Sequence, residues 1–225
     1  MKYNPKYPRT YHLPFSPGST NDDKKLKGDW FEYYRGKNVV FTEKLDGSNT
    51  AMNQVDVYER SHASPTRHPW SRNLWDLTDG LYWKIKQYIG PNETIYGENL
   101  YGVHSIEYNR LDNYWHMFAA NDGNVWYSWE EVVELAKMLG VPHVPILYNC
   151  KLQHEEEIKE IIDHFMSFES FYSTEAGREG IVMRVEDSFC LDDFSHYVCK
   201  WVRPHHVQAD EHWTRNWKKA NLIKL

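Results

Sequence analysis

Short apolar runs bounded by turn residues dominate the pattern of hydrophobic and polar positions along this chain. Runs rich in apolar and β-branched residues predict strands over 37–47, 93–100, 113–120, 179–187 and 196–202. Helical spacing predicts two helices. One begins after Ser128, where Ser128 and Glu131 match a capping box, and ends at Gly140. The other covers the acidic segment 152–168. Strands interspersed with helices, without strict alternation, predict an α+β fold with a largely antiparallel sheet.

A third helical pattern covers 71–90 and is less regular. One helical face carries five apolar residues, namely Leu74, Leu77, Leu81, Ile85 and Tyr88. Gly80 interrupts the pattern, which leaves open whether the helix is continuous. The first 30 residues predict an irregular arm. The segment 206–219 has helical spacing. Trp213 and Trp217 would then pack on the sheet, and Lys218 or Lys219 would contact the phosphates of an RNA strand.

Composition limits the class of protein. Hydrophobic residues make up 41% and aromatic residues 16% of the 225 residues, which is typical of a globular chain. No apolar run is long enough to span a bilayer, and the start lacks a signal-peptide pattern. The three cysteines show no CxxC pair, which argues against a disulfide framework or a zinc site and for a reducing cytoplasm.

Charge is unevenly distributed along the chain, although the net value is −6. Residues 1–90 carry 14 Lys and Arg against 10 Asp and Glu, and residues 197–225 carry 6 against 2. The middle, residues 91–196, carries 6 against 20. The two positive ends could together bind a polyanion, or they could be unrelated solvated surfaces, and charge alone does not decide between these.

Five short segments carry residues that are typical of catalytic chemistry. They are EKLDGSN at 43–49, YGENLYG at 96–102, WHMF at 115–118, EGIVMR at 179–184 and VCKWV at 198–202. A lysine at a strand end, followed by Asp and a Gly turn, places an amine and a carboxylate together at the end of a sheet. Taken singly, each segment also has an ordinary structural explanation, such as a polar turn, a core aromatic residue or a charge at a strand edge.

In this order and spacing, the segments resemble the covalent nucleotidyltransferase superfamily of ATP-dependent ligases and mRNA capping enzymes. They are most similar to its RNA ligase 2 family, over roughly residues 37–204. Lys44-x-Asp46-Gly47 resembles the nucleophile motif, and Arg60 the arginine motif that follows it. Glu98 lies in the segment similar to the central glutamate motif and Phe118 at the base-stacking aromatic. Glu179 and Lys200 fall in the fourth and fifth motifs.

The resemblance implies a nucleotidyltransferase domain of the ATP-grasp-like ligase type, as a single domain over 1–225. It implies that Lys44 attacks the α-phosphorus of ATP, that the AMP passes to an RNA 5′-phosphate, and that the RNA 3′-hydroxyl then displaces it. ATP and Mg²⁺ or Mn²⁺ are the implied cofactors. RNA with 5′-phosphate and 3′-hydroxyl ends is the implied partner, with an end-healing kinase or phosphatase as a candidate second partner, in a bacterial or phage-infected cell.

The site residues receive four kinds of role from the resemblance. Catalysis is expected from Lys44, Asp46 and Lys200. Nucleotide binding is expected from Glu43, Lys44, Asn49, Arg60, Glu98, Phe118, Glu179 and Lys200. Hard carboxylates suit Mg²⁺, so Glu179 and Asp46 are the expected metal ligands. Arg60, Arg67 and Arg72 flank the nucleophile in sequence and are the expected contacts to the RNA 5′-phosphate.

The chain departs from the family pattern in two places. The fifth motif often carries two lysines spaced KxK, but Val198 or Val202 takes the second position here, so Arg203 or Arg184 is expected to supply that contact. Only 21 residues follow Pro204, so no separate C-terminal domain is expected, and the core, the arm or a partner would hold the RNA.

Three alternatives remain at this point. Asn49 favours an RNA ligase, since DNA ligases and capping enzymes usually have Arg there. A DNA ligase, a capping-type guanylyltransferase and an inactive nucleic-acid-binding module of the same fold stay open.

Overall fold

The computed structural model describes residues 6–60, 64–204 and 216–223. Its strands are β1 (Tyr11–His12), β2 (Asn38–Lys44), β3 (Ser48–Asn53), β4 (Val57–Glu59), β5 (Thr94–Asn99), β6 (Trp115–Asn121), β7 (Val125–Trp126), β8 (Ile146–Lys151), β9 (Gly180–Val185), β10 (Phe189–Cys190) and β11 (Val198–Val202). Its α-helices are α1 (Arg72–Trp75), α2 (Leu81–Ile85), α3 (Trp129–Leu139), α4 (Glu155–Met166) and α5 (Phe194–Tyr197). Single 3₁₀ turns cover Trp30–Tyr33, Pro69–Ser71, Lys86–Tyr88 and Leu191–Asp193.

The strands form two sheets. Sheet A has the order β1-β11-β9-β2-β8 and is antiparallel except where β1 runs parallel to β11. Sheet B has the order β10-β7-β6-β5-β3-β4 and is antiparallel throughout. The prediction of an α+β fold with largely antiparallel sheets is therefore confirmed, and the five predicted strands correspond to β2, β5, β6, β9 and β11.

Strand β2 is buried on both faces, which explains its continuous apolar run. Val39 and Phe41 pack in a core with Ile158 and Ile162 of α4, whereas Val40 belongs to the core that contains the residues of sheet B. A strand covered on both sides needs apolar residues at consecutive positions rather than at alternate ones. The next three residues leave sheet A and enter β3 of sheet B, so the end of β2 lies where the two sheets diverge.

The capping signals of α3 are confirmed in detail. The Ser128 hydroxyl accepts the Glu131 backbone N–H, and the Glu131 carboxylate accepts the Ser128 N–H. Gly140 ends the helix with φ of 68°, a left-handed conformation that glycine adopts without steric cost. The acidic segment predicted over 152–168 forms α4.

The helical pattern over 71–90 does not form one continuous helix, and the interruption falls near Gly80. The segment forms two short helices, α1 and α2, separated by a turn in which the Gly80 N–H donates to the Asp76 carbonyl. A Cβ on Gly80 would lie 2.5 Å from the carbonyl oxygens of Leu74 and Asp76, so the chain folds back where only glycine fits. Leu77 and Tyr88, predicted on the buried face, are exposed as a result.

The described part of the C-terminal segment is 216–223, and Trp213 lies outside the described residues. Trp217 packs near Tyr101, with ring centroids 5.9 Å apart. The Lys218 ammonium pairs with the Glu107 carboxylate at 2.6 Å.

Within the described ranges, no helix has the length and apolar character needed to cross a bilayer.

Candidate active site

Lys44 is the last residue of β2, and sheet register brings Glu179 beside it. Lys44 lies opposite Gly180 across the β2–β9 pair, so the residue before Gly180 meets the lysine side chain. The Lys44 Nζ donates to Glu179 Oε2 at 2.6 Å, and the two side chains are 24% and 6% exposed. Charge-assisted hydrogen bonds of this length are the stronger class. An amine is thus held, almost enclosed, at the junction of the sheets.

Lys200 joins this group from β11. It lies opposite Val182 on β9, two residues beyond Gly180. Burial and the neighbouring Lys44 ammonium lower the pKa of Lys200 to about 8, against the opposing effect of Asp23 and Glu179. Lys44 and Lys200 pair with residues two apart on the intervening strand β9, which brings the two lysines close together.

Asp46 holds the loop between β2 and β3 in place. Its Oδ2 accepts the backbone N–H groups of Ser105 and Ile106, both at 2.8 Å. Its own N–H donates to the Tyr108 hydroxyl at 2.7 Å. The carboxylate is therefore a structural clamp between this loop and residues 105–108, a role that the sequence motif does not reveal.

Sheet B supplies the opposite wall of the site. Asn49 on β3 lies opposite Glu98 on β5, and paired residues point to the same face of a sheet. Glu98 Oε1 accepts the Gly47 N–H at 3.1 Å. A Cβ on Gly47 would lie 2.7 Å from the Asn99 carbonyl, so this turn approaches β5 as closely as only glycine allows. The Asn49 Oδ1 is buried and accepts no hydrogen bond from the described residues.

A β-bulge positions Phe118. Tyr96 lies opposite Ala119 while the next residue, Gly97, lies opposite Met117, so Phe118 is the extra residue of β6. Bulges commonly redirect a side chain next to a functional site. The Phe118 ring lines the cavity described below.

Glu43 is a packing residue whose carboxylate is already satisfied. It is 1% exposed and accepts from the Ser170 hydroxyl at 2.5 Å, the Phe171 N–H at 2.9 Å and the Arg178 guanidinium at 3.2 Å. These contacts fix the loop 167–178, which leads to Glu179. Both oxygens of the Glu43 carboxylate, which the sequence predicted to contact the nucleotide, thus already accept hydrogen bonds within the protein.

A cavity of about 820 Å³ lies between the two sheets. Seven of the residues predicted for the site line it: Glu43, Lys44, Asn49, Arg60, Glu98, Phe118 and Lys200. Asp46 and Glu179 stand behind Lys44 rather than at the cavity surface. The sequence interpretation missed the outer wall, which is the N-terminal segment 6–10.

The predicted arginines are not brought together. Arg60 lines the cavity. Arg67 pairs with Asp56 at 2.7 Å, and Arg72 pairs with Asp76 at 2.7 Å, both outside the cavity lining. Of the two candidates for a second phosphate contact, Arg184 lines the cavity, though it also donates to the Tyr127 carbonyl at 2.6 Å, and Arg203 does not line it.

Carboxylates dominate the electrostatics around the lysine. Burial or a neighbouring cation favours the neutral form of an amine such as Lys44. Burial acts in that direction, but the carboxylates of Glu179, Glu98 and Asp46 outweigh it and hold the pKa of Lys44 above its ordinary value. Burial raises the pKa of Glu98 to about 8, and the nearby charges of Glu179 and Asp46 add to this effect. Glu98 therefore carries a proton at neutral pH, and Lys44 is an ammonium.

A family model for RNA ligases matches residues 37–202. The chain belongs to the RNA ligase family. The matched range includes every segment that forms the walls of the cavity except the N-terminal one. A comparison with curated protein sequences gave no match.

Several solved structures of RNA ligases have the same fold as this chain. An RNA ligase of Naegleria gruberi with pyrophosphate has a TM-score of 0.54 and 18% identity over 88% of this chain. A mutant of that ligase with ATP and manganese has a TM-score of 0.51 and 16% identity over 89%. An archaeal ATP-dependent RNA ligase has a TM-score of 0.55 and 18% identity over 88%. The chain spans 61% of the length of the Naegleria ligase structures and 48% of the archaeal one.

The raised pKa of Glu98 predicts a pH-dependent cost in stability. An unfolded glutamate has a pKa of about 4.3, so between roughly pH 4.5 and 8 the folded carboxyl keeps a proton that the unfolded chain loses. Stability from this group is therefore lost as pH rises through that window. Glu98→Gln removes the titration and keeps an acceptor for the Gly47 N–H. We expect its Tm to exceed that of the parent by roughly 3–8 °C at pH 8, and by less at pH 5.

Thermal unfolding from pH 5 to 8 measures this difference. Glu134→Gln, at an exposed position on α3, is the matched control and should follow the parent at every pH. If the difference in Tm between Glu98→Gln and the parent is the same at every pH, the raised pKa of Glu98 is contradicted.

Proposed function

We propose that this chain is an ATP-dependent RNA ligase that works through a lysyl-AMP intermediate on Lys44. The observation that carries the proposal is the position of Lys44. Its amine lies at a cavity between two sheets, beside the buried Glu179, with Lys200 close by and Glu98 and Asn49 on the facing wall. The more specific proposal, that the chain belongs to the RNA ligase 2 family, rests on the sequence motifs and not on the fold.

In the first step the Lys44 amine attacks the α-phosphorus of ATP. A bond forms between Nζ and phosphorus, the bond to the bridging oxygen breaks, and pyrophosphate leaves with the electron pair. The ammonium must first lose its proton, and Glu179, 2.6 Å away, is placed to receive it. Lys200 offers a positive charge near the non-bridging oxygens, where negative charge builds up in the transition state.

The facing wall suits the nucleoside. The buried Asn49 Oδ1 lacks a described donor and would accept from a ribose hydroxyl, as would Glu98 once ionised. Phe118 offers a π-face to adenine, and Val182 lines the same cavity and is suited to the other face of the base. An orphaned buried acceptor is costly in the free protein, so a ligand that supplies the missing donor is favoured.

A divalent cation also fits the residues present. Within the described residues no group of three or more His, Cys, Asp and Glu is arranged to hold a metal ion. Mg²⁺ usually binds through one or two carboxylates together with water and substrate phosphates. Glu179, in contact with Lys44, is the better placed of the two predicted ligands, because Asp46 Oδ2 already accepts two backbone N–H groups. Held there, the cation would compete with Lys44 for the carboxylates and add positive charge next to the phosphates.

In the later steps the AMP passes from Lys44 to an RNA 5′-phosphate, and the 3′-hydroxyl of a second RNA end displaces AMP. Arg60 is the predicted arginine that lines the cavity, which supports a contact to the incoming 5′-phosphate. Arg67 and Arg72, already paired outside the cavity lining, are weaker candidates.

Two other functions compete with this one. A guanylyltransferase or DNA ligase would use the same lysine with another base or polynucleotide. An inactive binding module would bind nucleic acid but form no covalent adduct. The near-enclosed Lys44–Glu179 pair argues against the module, because a buried ion pair costs desolvation energy that binding RNA alone does not require.

Covalent labelling tests the nucleophile. With ATP labelled at the α-phosphate, the parent should form an adduct that survives denaturing electrophoresis, and Lys44→Ala should form none, because the amine that attacks the α-phosphorus is then missing. Lys151→Ala, on the exposed β8, is the matched control and should label like the parent. Labelling by GTP in place of ATP would favour the capping reaction, and undiminished labelling of Lys44→Ala would remove the proposal.

Sealing of pre-adenylated RNA tests the role of Asp46 in the final step. Asp46→Ala should reduce sealing by about 100-fold, at least as much as it reduces adduct formation, because loss of the clamp misplaces groups at the reacting end. Asp46→Asn keeps an acceptor for the Ser105 and Ile106 N–H groups but removes the charge. If Asp46→Asn seals at a rate near that of the parent, the loss in Asp46→Ala comes from the missing hydrogen-bond clamp. If both variants lose sealing, the carboxylate charge is what the step requires. Normal sealing in Asp46→Ala would contradict a role for Asp46.

A further inference from the structure

The segment Lys6–Thr10 forms the outer wall of the nucleotide cavity, although it lies outside the range matched by the RNA ligase family model. All five of its residues line the cavity. The sequence pattern predicts only an irregular arm here. The structure shows instead that this stretch crosses from sheet B to sheet A over the site.

Tyr7 attaches the segment to sheet B. Its ring is 8% exposed and lies 5.1 Å from Phe118, 5.1 Å from Tyr96 and 5.5 Å from Trp126, measured between ring centroids. The contact with Phe118 is edge-to-face, a favourable geometry for aromatic pairs. One end of the wall is therefore fixed next to the aromatic residue that is placed to stack on a base.

Strand β1 attaches the other end to sheet A. His12 lies opposite Lys200 in the parallel β1–β11 pair, and the Leu13 N–H donates to the Lys200 carbonyl at 2.8 Å. The Gly18 N–H donates to the Val202 carbonyl at 2.9 Å. Because both ends are held, the intervening residues have a defined position over the site.

The segment brings two cations to the cavity, Lys6 and Arg9. The Arg9 Nη1 donates to the Asp22 carbonyl at 2.7 Å, which orients the guanidinium and uses one of its five N–H groups. Arg60, the residue after β4, adds a third cation to the cavity lining. Three positive side chains thus surround the opening above Lys44 and Lys200.

Lys200 supplies the positive charge for the α-phosphate, since Lys44 must lose its proton before it attacks. Lys44 and Lys200 lie at the floor of the cavity, where the α-phosphate must sit for Lys44 to attack it. Lys6, Arg9 and Arg60 are exposed whereas Lys44 and Lys200 are partly buried, so the first three cations lie further out in the cavity. A phosphate chain with two more charged groups is the ligand that this arrangement fits.

We propose that Lys6 and Arg9 bind the β- and γ-phosphates of ATP, and so supply from the N-terminal segment the phosphate contact that the fifth motif lacks. This inference rests on the proposed function, since it assumes that ATP occupies the cavity with its α-phosphate at Lys44. It assigns the segment a role in recognising the triphosphate and its leaving group. AMP, which lacks both outer phosphates, gains nothing from these two cations.

Equilibrium binding without turnover tests the assignment. α,β-Methylene-ATP cannot transfer its AMP to Lys44, so its affinity can be compared with that of AMP by calorimetry on the full chain. The parent should bind the ATP analogue more tightly than AMP. In Arg9→Ala the ratio of the two affinities should fall by about tenfold, the effect of one charge-assisted hydrogen bond, and in the Lys6→Ala/Arg9→Ala variant further. Lys27→Ala, a lysine of the same arm outside the cavity lining, is the matched control and should keep the ratio of the parent.

The possible outcomes separate this inference from the function on which it rests. If both ligands weaken equally in Arg9→Ala, the segment is only a structural wall and the inference is overturned. If the ratio is unchanged while RNA affinity falls, Arg9 binds RNA instead, which also overturns it. If the parent binds neither nucleotide, the proposed function fails as well.

Discussion

The contact between Lys44 and Glu179 sets the terms for the rest of the site. An ammonium with only a quarter of its side chain exposed would be unfavourable without a partner, and Glu179 provides one at 2.6 Å. Asp46 and Glu98 add two further carboxyl groups nearby, so one lysine is surrounded by three of them. The excess of acid is accommodated by a proton on Glu98, whose pKa is about 8. The free protein thus holds Lys44 protonated, in a site that is ready for positive charge from outside.

Strand register explains why these groups meet. Lys44, Gly180 and Lys200 lie within two positions of one another on three adjacent strands of sheet A, which brings Glu179 to the lysines. The turn at Gly47 then carries the chain into sheet B, where Asn49 and Glu98 are directly paired. A single residue inserted in β2 would move Lys44 to the other face of its strand. The geometry of the site therefore depends on the sheets as a whole.

Much of the fold could be predicted from the sequence because strands and capped helices leave local signals. The apolar runs of β2 and β9 and the capping box at Ser128 needed no tertiary information. The burial of Leu77 and Tyr88 was misjudged because the helical spacing over 71–90 hides a turn that only the close approach at Gly80 reveals.

The site could be predicted in part, and for a different reason. Lys44, Glu98, Phe118 and Lys200 were found because a family motif names them, and the structure places all four at one cavity. The arm was missed because its contacts join residues far apart in sequence, such as Leu13 and Lys200, and no periodicity records them. The clamp by Asp46 on the backbone of Ser105 was hidden for the same reason.

The central claim is that Lys44 becomes covalently attached to AMP. The most direct measurement is to treat the parent protein with ATP and a magnesium salt, digest it without acid so that a phosphoramidate survives, and locate the modification by tandem mass spectrometry. The account predicts a mass increase of one AMP group on the peptide that contains Lys44, with fragment ions that place it on that lysine. An AMP group on any other residue, or none under conditions in which the protein binds ATP, would contradict it.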